Sequence, residues 1–135
     1  MTKPDIATTQ AVLERWLPAF LDGQRGPVAI YADKPVTWQA ATGTEIAIDP
    51  TRNDPSFQRL QAVIPDLHRR DTRVEVFAGG WVFQSTIVGT VDGAEVRLPV
   101  CLVVRLDDDA RIVRFSEYAD SMSAAPFARA LQPPQ

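Results

Sequence analysis

Cysteine and histidine are nearly absent from this chain: Cys101 and His68 stand alone among 135 residues. One cysteine excludes an internal disulfide framework and a cysteine-built zinc site. With a single histidine, a metal site would need mostly carboxylate ligands, and no such cluster is visible, so neither metal nor cofactor is expected. Long apolar runs are missing too. No stretch approaches the roughly 18 residues needed to span a bilayer, and "MTKPDIATTQ" lacks the apolar core and cleavage site of a signal peptide. A cytoplasmic location with no membrane partner is expected. A basic surplus is also lacking. The net charge is −3, and Arg69, Arg70 and Arg73 form the only local basic cluster. That cluster is read as a solvated helix end, and no nucleic-acid partner is expected.

What is present fits one domain, residues 1–135, with 45% hydrophobic and 23% charged residues. The first half reads as helical and the second as strand-rich, a segregation that favours α+β. Thr8 or Thr9 precedes Leu13, Trp16, Leu17, Phe20 and Leu21 at the spacing of a helix with one buried face, within which Pro18 should kink or shorten the helix. "PVTWQAATGTEIAID" carries two short β-like runs around Thr42-Gly43. "NDPSF" predicts a second helix, with Asp54 as cap and Pro55 at the first helical position.

From Thr72 the hydrophobic period changes to two, and Gly79-Gly80 and Asp92-Gly93 mark hairpins. In "EVRLPVCLVVRL" the even positions, from Val96 and Leu98 to Val104 and Leu106, form an aliphatic face. The odd positions, Glu95, Arg97, Pro99, Cys101, Val103 and Arg105, form a mixed one. The pattern leaves two arrangements open. Either helices cover the aliphatic face, or the mixed face lines a partly polar cavity and a second subunit covers the aliphatic one.

The order of "AIYADKPVTW", "DGAEVRLPVCLVV" and an ending of the form D-x-R-I-V-x-x-x-E-Y-x-D resembles the nuclear transport factor 2-like superfamily over residues 8–125. More narrowly it resembles the SnoaL-like and ketosteroid-isomerase-like small proteins. The resemblance implies an α+β cone: a curved, mostly antiparallel sheet wrapped around N-terminal helices, with a pocket between. It implies that Cys101 faces the pocket, and that a homodimer forms through a convex face carrying Leu98, Val100, Leu102 and Val104. The catalytic residues of the steroid isomerases do not carry over. Their tyrosine falls on Trp16, their base on or beside Gln39 and their second acid on Cys101, and none of these can take the role. The epoxide hydrolases' last-strand carboxylate falls on Glu117, but their Arg-x-Asp pair falls near Gln84–Ile87, which carry no charge. Arg97 is the substitute cation by parity. The SnoaL-type acid/base position falls on Asp120.

Two functions are therefore weighed. The first is a cofactor-free enzyme on a small, largely apolar organic molecule, performing epoxide hydrolysis, cyclisation, isomerisation or dehydration. Glu117 would be its acid/base, aided by Asp120. Tyr31, Trp38, Gln39, Trp16, Arg97, Cys101 and Phe115 would line the site. The second is a non-catalytic ligand-binding or accessory protein on the same scaffold. Glu117 shares strand parity with Val113 and Phe115, so an inward carboxyl would be desolvated and its proton held more tightly. Asp120 reads equally as a cap before "SMSAAPF".

Overall fold

In the computed structural model, which describes residues 2–133, Asp5 accepts the Thr8 amide at 2.7 Å and starts α1 (Ile6–Leu21). The helix passes through Pro18 to Leu21 rather than stopping there, and Gly23, at φ 75°, lies beyond its end. A 3-10 turn (Val28–Ile30) leads into β1 (Tyr31–Gln39) and β2 (Thr44–Ala47), the hairpin expected around Thr42-Gly43. Asp54 accepts the Ser56 amide at 2.9 Å where α2 (Ser56–Val63) begins.

Then follow β3 (His68–Phe77), β4 (Gly80–Val91), β5 (Ala94–Leu106), β6 (Ile112–Ala119) and α3 (Ser121–Ala130). The six strands form one open sheet in the order β2-β1-β6-β5-β4-β3. Every neighbouring pair is antiparallel except β1 with β6. The architecture is α+β, with the helices gathered on one face of a mixed, mostly antiparallel sheet. No helix among the described residues is long and apolar enough to cross a membrane.

Packing settles the parity of β5. Leu98, Leu102, Val104 and Leu106 are buried, Val104 completely. Val12, Leu13 and Trp16 of α1 share one core cluster with Leu102, Val104 and Leu106. Ile64 and Leu67, which follow α2, and Phe127 of α3 share the second with Leu98. The expectation that this aliphatic face is convex and pairs with a second subunit is thus corrected. The helices supply its apolar cover, and the odd positions, Cys101 and Arg97 included, lie on the outer face.

A second correction concerns "PDLHRRD", which is not a helix end. His68, Arg69 and Arg70 are already paired with Val88, Ile87 and Thr86 of β4. The register then slips between Arg70 and Arg73, where Asp71 takes φ 56°. One extra residue in the strand is a β-bulge. It lets Arg69 and Val74, an odd number of positions apart, face the helices together, and alternation read from Thr72 onward does not extend back across it.

The deep end of the inner face is aromatic. Trp16 stacks on Phe20 at 4.4 Å between centroids and lies 5.3 Å from Trp81, 5.9 Å from Phe83 and 6.0 Å from Phe115. Gly80 belongs to this packing, because a Cβ there would collide with the Val104 carbonyl and the Phe77 ring. Trp16 ties α1 to β4 and β6 at once. Trp16→Ala should therefore cost about 3–5 kcal/mol, measured by chemical denaturation, the usual loss for a buried aromatic.

Candidate active site

Glu117 is opposite Leu102 across the β5–β6 ladder and beside Gln39 in the parallel β1–β6 pair. Residues paired across a sheet project to the same face, so Glu117 points inward, as its parity with Phe115 predicts. Its backbone carbonyl accepts the Ala40 amide at 2.9 Å, which fixes the end of β6 against the β1–β2 turn. Burial among apolar neighbours pushes the Glu117 carboxyl up from the ordinary glutamate value, and the negative charge of Asp54 at the start of α2 pushes it further. The group is placed to hold a proton above the usual carboxylate range.

Asp120 is a different kind of acid. It is the N-cap of α3, accepting the Met122 amide at 3.3 Å, the Ser123 amide at 3.0 Å and the Ser123 hydroxyl at 2.7 Å. These bonds hold its carboxyl below the usual range. Of the two readings of Asp120, capping is the one observed.

Arg69, which the sequence places in a solvated helix end, completes the charged part of the inner face instead. Its guanidinium donates to the Ser85 hydroxyl at 3.2 Å and lies 4.9 Å from the Phe57 ring, 5.1 Å from Phe20 and 5.6 Å from Phe83. Ser85 itself is buried. Only the bulge brings Arg69 inward, and the one available signal was Asp71 interrupting the alternation.

The other expected lining residues divide between core and outer face. Trp16 and Phe115 are core. Tyr31 is buried, and its hydroxyl donates to the Arg25 carbonyl at 2.6 Å, closing the turn before β1. Burial pushes that phenol up to about 12, against opposing effects from Arg25 and Trp16. Its proton is committed to the backbone. Trp38 packs edge-on against Tyr118, with Arg114 5.7 Å from its ring, and Cys101 pairs with Tyr118 and Gln84 on the same outer face. Arg97, the substitute cation by parity, points outward and binds Glu95 at 2.9 Å. Among the polar lining candidates, Gln39 is the one paired with Glu117.

Two shallow concavities lie away from Glu117, Gln39 and Arg69, and Cys101 lines the second of them. One of about 330 Å³ is lined by Ile64, Thr90, Asp92 and Arg129, and one of about 340 Å³ lies beside the bulge, lined by Asp71, Arg73, Gln84 and Cys101.

No protein-family model matches the chain, and no curated protein matches its sequence. Solved structures do match its shape. The pinacolase BvnE of Penicillium brevicompactum superposes with a TM-score of 0.65 at 16% identity, covering 96% of this chain and 95% of that one. A SnoaL-like protein of Jannaschia sp. CCS1 gives 0.64 at 16% identity and 99% of both chains. A steroid delta-isomerase of Pseudomonas aeruginosa gives 0.58 at 17% identity, over 96% and 93%. The fold is the nuclear transport factor 2-like cone. At these identities the likeness is one of fold, and the cone hosts unrelated activities.

The raised Glu117 carboxyl has a consequence for stability. A group whose folded-state pKa exceeds its unfolded value binds more protons when folded, so its stabilising contribution is present below the unfolded value and is lost as pH rises through the folded one. Glu117→Gln keeps the shape without the ionisation. The variant should melt above the wild type at neutral pH, with the gap closing as the pH is lowered toward 4.5, the ordinary glutamate value. A gap that stays constant with pH would count against a desolvated Glu117.

Proposed function

We propose that the chain is a cofactor-free acid/base enzyme acting on a small, largely apolar organic molecule, with Glu117 as the proton-transfer group. The observation that supports this reading most is the inward Glu117, desolvated and biased by Asp54 toward keeping its proton. A carboxyl whose proton affinity is drawn toward neutrality is matched to taking a proton from, or giving one to, a substrate at physiological pH. Gln39, at the same level of the sheet, supplies an amide that can accept or donate a hydrogen bond to a substrate oxygen. Epoxide opening, cyclisation, isomerisation and dehydration each need such a transfer. Asp120, with both oxygens engaged at the α3 cap, is left a structural part.

Against a panel of small terpenoid, steroid and polyketide-like compounds, conversion should depend on Glu117. Glu117→Gln should lower kcat/KM by about 100-fold or more while circular dichroism is unchanged. Activity retained in that variant would remove Glu117 from the mechanism. Compounds that raise the melting temperature without being converted would favour the binding-protein alternative.

We propose further that the chain forms a homodimer through the outer face of the sheet. Trp38, Tyr118, Val82 and Val103 give that face a half-exposed apolar strip, with Tyr118 45% exposed. The pairs Arg114–Glu45, Arg73–Glu75 and Arg97–Glu95 edge it. An apolar centre with a charged rim is the usual anatomy of a subunit interface. Light scattering should give a dimer for the wild type and a monomer for Val103→Glu; a monomeric wild type would overturn this assembly.

A further inference from the structure

The helix-covered face holds a cation that the fold does not neutralise. Among the described residues no carboxylate lies within ion-pair distance of Arg69. Its neighbours on the outer side of the strand are treated differently: Arg70 reaches Glu95 at 3.5 Å, and Arg73 reaches Glu75 at 3.7 Å. The Arg69 guanidinium has the Ser85 hydroxyl as its hydrogen-bonded partner and the faces of Phe20, Phe57 and Phe83 around it. A guanidinium carries five N–H donors in a flat fork, and the rings satisfy none of them as an oxygen would. Burial alone weakens its hold on its proton, with no compensating charge. An uncompensated, half-buried charge is destabilising. Such a cost persists where the group is used.

We propose that Arg69 is the recognition group for a carboxylate on the ligand, making the substrate class small aromatic or unsaturated organic acids. The fork matches a carboxylate bidentately, which a neutral carbonyl cannot do. The Ser85 hydroxyl holds one edge of the fork and fixes its plane. Phe20 from α1, Phe57 from α2 and Phe83 from β4 set aromatic faces around the cation, apolar neighbours for a planar hydrocarbon body behind its acid group. The low dielectric among those rings strengthens the ion pair once it forms. This deepens the proposed enzymatic reading by naming its substrate class, and it rests on that reading only for the chemistry that follows binding.

The test is calorimetric titration with trans-cinnamate and its neutral isostere cinnamamide, on the wild type and on Arg69→Met. The methionine keeps an apolar stem among the rings and removes the charge. The wild type should prefer the acid by at least about tenfold in Kd. Arg69→Met should abolish that preference and melt at or above the wild-type temperature. If Arg69 instead serves as a structural plug among the rings, Arg69→Met melts lower and the wild type does not distinguish acid from amide. That result, a wild type that binds no cinnamate, or a preference that survives Arg69→Met would each overturn the proposal. The wild-type comparison of acid with amide stands even if the variant fails to fold. Because the readout is binding, loss of the assigned Glu117 chemistry would leave the result untouched, so the two readings fail separately.

Discussion

Burial of the even-numbered side chains of β5 under the helices is the constraint on which the rest of the molecule depends. Val104 is fully buried, with Leu102 and Leu106 on either side of it in the α1 cluster and Leu98 in the cluster anchored by Ile64, Leu67 and Phe127. Strand period then dictates every neighbour. Leu102 inward places Phe83 and Glu117 inward across the two flanking ladders, and Val104 inward does the same for Trp81 and Phe115. A one-residue slip would turn the aliphatic row to solvent and bury Arg97 and Arg105, so the apolar row itself fixes the register. Glu117 faces inward because its strand has no other way to bury Phe115.

The inner face is divided by chemistry along its length. At one end Trp16 packs against the rings of Trp81, Phe83 and Phe115. Polar groups appear toward the other end of the same face: Glu117 and Gln39 on β6 and β1, Arg69 and Ser85 on β3 and β4. Both ionisable groups are displaced toward their neutral forms by desolvation. Neither displacement helps the fold, since replacing a desolvated charge by an apolar group of similar volume is commonly neutral or stabilising. Stability alone therefore gives no reason for the two charges on this inner face.

The sequence was informative where local rules ran uninterrupted. The stripe from Leu13 to Leu21 became α1, Asp54 sits where α2 starts, and Gly79-Gly80 and Asp92-Gly93 became hairpins. The ending "RIVRFSEYAD" gave an inward Glu117 because β6 has no bulge between Phe115 and Ala119. Legibility failed at two kinds of place. Alternation on β5 shows which residues share a face but not which face the helices cover, since that is decided by packing between distant segments. The implied convex aliphatic face, Cys101 and Arg97 inward, followed from the resemblance and not from the pattern. On β3 the alternation is legible only from Thr72, so Arg69 reads with Arg70 and Arg73 as a solvated helix end, and the bulge at Asp71, at positive φ, reverses the parity of everything before it. Bulges recur beside functional sites because they re-aim single side chains in this way.

The proton affinity of Glu117 is tied to the position of α2. Asp54 lies where that helix begins, holds the Ser56 amide, and adds its negative charge to the burial that raises Glu117. Phe57, one residue into the helix, lies against the Arg69 guanidinium. The same short segment therefore touches the surroundings of both inner-face charges, one through a carboxylate and the other through a ring. No side chain of α2 is itself buried; the segment is anchored by Ile64 and Leu67, which follow it. The sign of the Asp54 effect is fixed by charge: the carboxylate repels an ionised Glu117 and holds its proton in place. The segment whose carboxylate raises Glu117 is thus the one whose ring covers Arg69, and Phe57 and Leu60 pack it, partly buried, against the Ile64 cluster.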